Sequence, residues 1–562
     1  MKQTKNNILP LILSIIFSVS VIGAGGVAAA AGQIYVNDGQ NVLGSDINSA
    51  YAIGGNGDIS VVGGAYAITG SGVQQIGQSS NSDTVNIPDG GEDGTTVRVG
   101  VNTIRVGLYY YYSSSRNTAL STASLENKVG SGYQFGYYDS SRVFRVLGST
   151  PETRLTMVPN INTAVLGGTV GCYHIRLPQP YGDFEAAKFA ASQYADGFPA
   201  YINGTYYAMV GNYQSQSAAN SARASLGIGG EIFTGSSRCV AVTRTGTTKI
   251  LFEFECGTNA NLAIHPLANN TKAETWFKGE TYYGDFEYLR YVSDKLTVVN
   301  ILNIEDYVKG VLPVEMSPSW PIEAVKAQAL CARSYAAMNI GSYSKYGFDL
   351  TADTYSQVYK GTSRATANSD LAVDATQGEY VTYNGSICNT FFFSSDGGGT
   401  ENSENIFTAV LPYCRGVIDP WEADVPEDIN SRKSWHYEFT GAQLASKLSS
   451  YGYSGGDIVY AQPTYSDTNN VIRLVLSDAS GNSITLTKIN CANALGLPSV
   501  HYTMQQSAGG PGLFVIDGGG WGHNVGMSQF GAYSMAKYHG LNYRQIIRYY
   551  FTGANISKSV MA

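Results

Sequence analysis

Cysteine is scarce in these 562 residues: there are seven, an odd number, and no two form a C-x-x-C pair. That spacing offers no readable zinc site, and at this length it excludes a disulfide-dense scaffold. Cys388 and Cys414 are left as one pair that an oxidising exterior allows. Charge is scarce too, at 14% of residues, with 35 Lys+Arg against 43 Asp+Glu. A formal charge of −8 supplies no concentrated basic face, which excludes nucleic acid as a partner. Beyond Ile22 no apolar run approaches the roughly 20 residues that a membrane-spanning helix needs. The chain is too long for a single core, so several domains are expected.

Glycine (65) and tyrosine (41) are abundant instead. With charge this low, the composition suits an extracellular β-rich protein whose aromatic surfaces meet polar ligands. The first residues agree. Lys2 and Lys5 precede an apolar run from Ile8 to Ile22, then Gly-Ala-Gly-Gly and a stretch of alanines ending at Ala31. This pattern predicts a secretory signal peptide over 1–31, with an uncleaved membrane anchor as the other reading. A secreted or cell-wall-associated protein follows.

Residues 32–96 are rich in Gly, Ser, Asn and Asp, and Ile87–Thr96 (IPDGGEDGTT) reads as a turn-forming linker. Val97–Tyr112 alternates as a strand does, so a small β unit is expected over 97–163, with no visible function. In 164–246 two stretches, YHIRLPQPYGDFEAAKFAASQYADGFPAYI and YYAMVGNYQSQSAANSARASLGIGGEIF, each read as strand, loop, Ala-rich helix and strand. Together they predict a βαββαβ sheet with both helices on one face and the other face open. A third region, 247–562, begins with several β-patterned runs.

Within that region, Val311–Pro321 (VLPVEMSPSWP) places one carboxylate, Glu315, among apolar residues and three prolines. The helix that follows, IEAVKAQALCARSYAAMNIGSY, has Pro321 in its first turn and Gly341 at its end. Ile322, Val325, Ala329, Ala332 and Ala336 form its buried stripe, while Lys326 and Arg333 share another face. Two readings of Glu315 stand side by side. A glutamate of pKa about 4.3 is protonated about one time in 500 at pH 7, whereas desolvation to about 6 raises that to about a tenth, which suits a general acid. An ion pair with Lys326 or Arg333 would instead lower the pKa and oppose acid catalysis.

Two glycine-rich stretches complete the chemistry. In NTFFFSSDGGGTENSENIF an apolar strand empties into Ser394, Ser395, Asp396, Gly397 and Gly398, whose open backbone and hydroxyls suit a sugar, although a plain turn is the other reading. No G-x-S-x-G elbow surrounds either serine, so a serine nucleophile is not expected. In DGGGWGHNVGMSQFGAYSMAKYHG, Trp521 offers a stacking platform and His523 a polar ligand or proton partner, with ordinary packing as the alternative. A helix over about 528–538 and a second one capped by Asn542 and Gln545 follow.

The segments NILNIEDYVKGVLPVEMSPSWPIEAVKAQALCARSYA, DTYSQVYKG, FFFSSDGGGTEN and GGGWGHNVGMSQFGAYSMAKYHGLNYRQIIRYYFTG, in this order, resemble the stage II sporulation protein D (SpoIID)/LytB family. The preceding βαββαβ segment resembles the SPOR domain, a glycan-binding module. The resemblance implies an α+β, multidomain, β-rich chain with a SPOR-like module and a C-terminal SpoIID-type catalytic domain. It implies a lytic transglycosylase that cuts between N-acetylmuramic acid and N-acetylglucosamine in glycan strands stripped of peptides, leaving 1,6-anhydro ends. Glu315, in the Pro-Val-Glu-Met segment, is the implied catalytic acid/base. Lys326, Gln328, Arg333, Ser394, Ser395, Gly397, Gly398, Trp521, His523 and Gln529 are the candidate substrate-binding residues. No cofactor and no metal are expected. Phe393 stands where members often have His, and Cys388 lacks companions for a zinc set. Asn524 replaces a common Gly, which a left-handed turn tolerates. The partners implied are peptidoglycan glycan strands and, under the alternative reading of a non-catalytic amidase enhancer, a cell-wall amidase.

Overall fold

The computed structural model describes residues 88–562 apart from 101, 293, 507–511 and 562, together with the backbone of six short strands between Tyr35 and Gln75. The signal segment expected over 1–31 lies outside the described residues. Among the described residues no helix is long and apolar enough to cross a membrane. Residues 1–87 and 88–562 form separate compact units. In the first, Tyr35–Asn37, Gln40–Leu43, Tyr66–Thr69 and Gly72–Gln75 make a four-stranded antiparallel sheet, and Ala50–Ile53 pairs with Ile59–Val62.

The second unit is built on two stacked sheets. One has ten strands and includes Tyr173–Tyr181, Gly197–Ile202, Thr205–Tyr213, Ile250–Glu255, Arg154–Pro159 and Ala123–Asn127. The other has seven strands, centred on Leu262–Ala268, Asp285–Leu289, Thr297–Asn303 and Thr103–Tyr109. Their inner faces alternate apolar residues with a period of two, and these interdigitate. Phe135 stacks on Phe252 with ring centroids 5.0 Å apart, and Phe277 meets Phe286 at 5.7 Å.

The expected strand–helix–strand repeat is present, with helices Phe184–Ala191 and Gln216–Leu226. Asp183 and Ser215 cap them, each accepting from a backbone N–H three residues on. Ala191 and Ala222 pack on one strand face with Ile175, Leu177, Ala208 and Val210. The opposite face, expected to be open, is partly covered: Phe198, Ala200 and Met209 lie with Val165 and Val170 of the Thr163–Val170 hairpin. Gly197–Ile202 also pairs in parallel with Ile250–Glu255, so this segment continues into the large sheet. The expected linker is docked as well. Arg548 pairs with Asp93 at 2.5 Å, and Thr96–Val99 runs parallel to the C-terminal strand Asn555–Met561.

Against the sheets lies a cluster of helices: Ile304–Glu315, Ile322–Met338, Ala367–Ala375, Gln529–Lys537 and Tyr543–Tyr550. Ile304–Glu315 is a helix where sequence pattern suggested strand. Asn303 caps it through a bond from Glu305 N–H (2.8 Å), and Ile304, Tyr307, Val308, Val311 and Leu312 supply its buried stripe. Ile322–Met338 is the hub and is buried nearly all round rather than on one face. Its alanines let four neighbouring helices approach closely. Asn542 and Gln545 form the expected capping box.

Candidate active site

Glu315 is the last residue of its helix. Pro313 forfeits a hydrogen bond in the final turn, and Met316 is already extended (φ −132°), so the helix stops at the carboxylate. Carbonyl dipoles at a helix C-terminus disfavour negative charge there. Burial acts in the same direction and raises the Glu315 pKa, opposed by a hydrogen bond from Val358 N–H to Oε1 at 2.7 Å. From the opposite side, Gln529 Nε2 donates to the Glu315 carbonyl oxygen at 2.9 Å. The main chain is therefore pinned, Glu315 lines the groove, and among the described residues no Lys, Arg or His pairs with its carboxylate.

The groove beside Glu315 has a cavity of about 440 Å³, walled by Tyr335, the Thr354–Val358 loop, Phe391–Ser394, Phe407, Trp521–His523 and Gln529. Glu315 is the one carboxylate among these lining residues. Trp521 is 46% exposed, and the Arg432 guanidinium lies 4.2 Å from its ring centre. The turn carrying Trp521 is tied to the serine loop by a reciprocal backbone pair with Ser395: Trp521 N–H to Ser395 O at 2.7 Å and the reverse at 3.2 Å. His523 sits among Phe391, Phe393 and Phe407, with ring centroids 5.2 to 6.1 Å away. Desolvation by these rings lowers its pKa to about 4, so the imidazole is neutral near pH 7. Its Nδ1 accepts from Val525 N–H at 3.1 Å, which makes it a poor general base.

The groove thus brings together Glu315, Ser394, Trp521, His523 and Gln529. The other candidates for substrate contact need correcting. Arg333 is fully buried and holds Glu305, with Nη2 to Oε2 at 2.7 Å. Gln328 is buried, its Oε1 accepting from Gln529 Nε2 at 3.3 Å, so it acts behind the groove wall. Lys326 pairs with Glu323 at 2.7 Å and does not line the cavity. Ser395 is buried with its hydroxyl given to Glu422. Gly397 (φ +76°) lies so close to Gly519 that a Cβ would stand 2.5 Å from its carbonyl carbon, so its openness serves the neighbouring turn. Gly398 (φ +130°) donates to Asp396 and does not line the cavity either. Asn524, the residue in place of a common Gly, is left-handed (φ +59°) as a turn requires, and its amide donates to Asp396 O at 2.9 Å.

Sequence reasoning attached no roles to Tyr335, Tyr355, Gln357 or Val358. The segment DTYSQVYKG carried a signal only through family resemblance, because a backbone N–H such as that of Val358 leaves no trace in residue identity. Behind the serine loop lie Asp396, Asp419 and Glu422, all buried, with carboxylate oxygens within 4.8 Å of one another. Glu422 accepts from Asn430 Nδ2 (2.9 Å), Asp396 N–H (2.9 Å), Ser528 Oγ (2.9 Å) and Ser395 Oγ. The cluster thereby knits the serine loop to the cap of the Gln529–Lys537 helix. The free cysteines Cys388 and Cys414 form no disulfide.

Comparison with known proteins bears on the same region. A family model described as stage II sporulation protein matches residues 292–383, which include Glu315 and the Thr354–Val358 loop. An uncharacterized protein of Brachyspira hyodysenteriae is 36% identical over 288 residues, covering 50% of this chain and 73% of that protein. An amidase enhancer of Bacillus subtilis is 28% identical over 293 residues, 44% of this chain and 40% of that protein. Stage II sporulation protein D of Bacillus subtilis is 33% identical over 279 residues, 46% of this chain and 76% of that protein, and the chain belongs to the SpoIID family.

Proposed function

We propose that the protein is an exported lytic transglycosylase that cuts the bond between N-acetylmuramic acid and N-acetylglucosamine in peptide-free glycan strands. The observation that carries this reading is the solitary, partly desolvated Glu315 in a groove with no second carboxylate on its walls. Hydrolytic glycosidases place two carboxyl groups across the scissile bond, one of them for water or covalent attack. A single carboxyl group suffices when the nucleophile belongs to the substrate.

Glu315 in its acid form gives its proton to the glycosidic oxygen, and the bond from the muramyl anomeric carbon to that oxygen breaks. The N-acetylglucosamine alcohol leaves, and positive charge develops on the anomeric carbon. The 6-hydroxyl oxygen of the same muramyl residue bonds to that carbon while its proton passes to the Glu315 carboxylate. The acid form is restored, no water is consumed, and a 1,6-anhydro end results. Phe391–Phe393, Phe407 and Val358 exclude water, and the exposed Trp521 face stacks on a sugar.

Incubating purified protein with stripped glycan and weighing the products tests the reading. Fragments with the mass of anhydro ends are expected, and they should vanish in Glu315→Gln. Hydrated reducing ends, or intact strands with the unsubstituted protein, overturn it. The likeness to an amidase enhancer supports a second reading, in which the groove binds glycan and the protein stimulates a wall amidase. Under that reading the protein alone cuts nothing, and added amidase releases peptide faster. The βαββαβ segment before the groove, built into the large sheet, supplies a second, SPOR-like glycan contact in either case.

A further inference from the structure

We propose that the glycan site continues beyond the groove along a row of tyrosines, where sugars several residues from the scissile bond are bound. This rests on the reading of the groove as a glycan site. The row starts at Tyr355, which lines the groove and is 65% exposed. The Arg116 guanidinium carbon lies over its ring, 3.4 Å from the centroid, and over that of Tyr112 at 5.1 Å. Tyr112 meets Tyr346 at 4.9 Å, Tyr346 meets Tyr291 at 5.5 Å, and Tyr291 stacks with Tyr111 at 6.1 Å. Three of these rings are left substantially in water: Tyr112, Tyr291 and Tyr355.

Packing does not account for them. Beneath the row, Tyr110, Phe348, Leu289 and Val299 already close the local core, and the outer rings add only rim contact. A contiguous exposed aromatic strip on a protein so poor in charge marks a binding surface. Tyrosine suits a pyranose chain: its face takes the sugar C–H groups while the hydroxyl exchanges hydrogen bonds at the edge. The row is also rigidly joined to the groove. Arg116 pairs with Asp353 at 3.0 Å, and Tyr110 Oη donates to the same carboxylate at 2.7 Å. Asp353 in turn accepts from Tyr355 N–H at 3.1 Å, which sets the loop that lines the groove. Tyr111 and Tyr112, in a stretch to which sequence alone attaches no function, thus form a lip of the site. Its occupant is the polysaccharide already seated at Glu315, continuing outward.

The test measures binding of stripped glycan strands, sorted by length, to the full chain carrying Glu315→Gln, so that nothing is cut. Long strands should bind more tightly than disaccharide-repeat dimers. Tyr112→Ala with Tyr291→Ala should weaken long-strand binding about threefold to tenfold per ring while leaving short-strand binding unchanged, consistent with aromatic contact energies. Tyr112→Phe with Tyr291→Phe should retain most of the affinity and so control for folding. Equal affinity of the parent for short and long strands overturns the proposal, as does undiminished long-strand affinity in the double alanine variant. A peptide-bearing strand preferred over a stripped one also counts against it. Strands bound in this length-dependent way but never cut by the unsubstituted protein would leave the row standing and defeat the transglycosylase reading alone.

Discussion

Arg333 gives its guanidinium to Glu305, not to Glu315. Nε donates to both Glu305 oxygens at 3.0 and 3.1 Å, and Nη2 to Oε2 at 2.7 Å. Glu305 sits in the first turn of the helix that Glu315 ends, so one helix carries a paired carboxylate at its start and an unpaired one at its finish. The start of a helix favours negative charge and its end does not, so the pairing reinforces the dipole at one end and leaves the other proton-retentive.

Removing Arg333 should therefore damage the fold rather than the affinity for glycan. Arg333→Ala strands Glu305 and removes one donor each from the carbonyls of Val373 and Glu379. Breaking a buried pair this way costs about 3–5 kcal/mol. Urea unfolding should show that loss, whereas Lys326→Ala, at a partly exposed i,i+3 pair, should cost less than about 1 kcal/mol. A normal unfolding midpoint for Arg333→Ala with weakened glycan binding would restore Arg333 to the substrate site.

The Glu315 pKa predicts that rate and stability both decline as pH rises through it. Its pKa is raised above the ordinary 4.5 by desolvation, so the acid form persists to higher pH, and cleavage should fall only as pH passes that raised value. The native state binds more proton than the unfolded chain between 4.5 and the raised value. Stability that this group contributes is complete below 4.5 and declines as pH rises through the folded pKa. Glu315→Gln should lose at least about a hundredfold in rate. It should nonetheless unfold at higher urea than the parent near pH 7, with the gap closing in acid. Pairing the pH–rate profile with urea midpoints at pH 4 and 7 checks both signs.

The cysteines should behave as inert thiols despite the expected export. All seven are free, and burial pushes every one of their pKa values up, Cys414 and Cys491 to about 12. A thiol that cannot ionise reacts slowly. Brief alkylation of native protein should modify Cys172 and Cys256, which are partly exposed, and spare the rest. Recovery of a peptide linking Cys388 to Cys414 after oxidant-free purification would contradict this.

What was legible in the chain follows from how far each feature reaches in sequence. Ile322–Met338 announces itself by spacing, and Asn542 with Gln545 by a cap three residues long, so both could be read locally. Ile304–Glu315 could not, because its Val, Ile and Tyr content favours strand and only burial against the hub makes it helical. Glu315, Trp521 and His523 stood out because their residue types are unusual in their settings. Arg333 and Ser395 stood out for the same reason but turned out to satisfy Glu305 and Glu422, partners 28 and 27 residues away. The continuity of the large sheet through 246 was invisible, since strand pairing leaves no mark in composition.

The carboxylates of Asp396, Asp419 and Glu422 must share fewer than three charges, and their bonding says which one is neutral. Burial and then Asp419 raise the Glu422 pKa, but Glu422 accepts four hydrogen bonds, which favour its anionic form and oppose that rise. Asp419 accepts from Trp421 N–H (2.9 Å), Glu422 N–H (3.2 Å) and Tyr550 Oη (2.5 Å). Asp396 accepts at Oδ1 from Gly398 N–H (2.8 Å), while Oδ2 is buried with no partner. No Lys, Arg or His among the described residues forms an ion pair with any of the three. A proton on Asp396 Oδ2 turned toward Asp419 satisfies both groups, and the Asp396 pKa is accordingly well above 3.8, driven by burial and then by Asp419 and Glu422. With its folded pKa raised, this group stabilises fully below 3.8 and progressively less as pH climbs through the folded value. Asp396→Asn keeps a donor toward Asp419 and cannot ionise, so it should stay within about 1 kcal/mol of the parent and lose less stability in alkali. Glu422→Gln sets an amide donor against four converging donors and should cost about 2–4 kcal/mol. Melting curves from pH 5 to 9 with and without EDTA decide the matter. A drop in melting temperature on chelation, abolished in Asp396→Asn, would mean that a divalent cation and not a proton balances the trio.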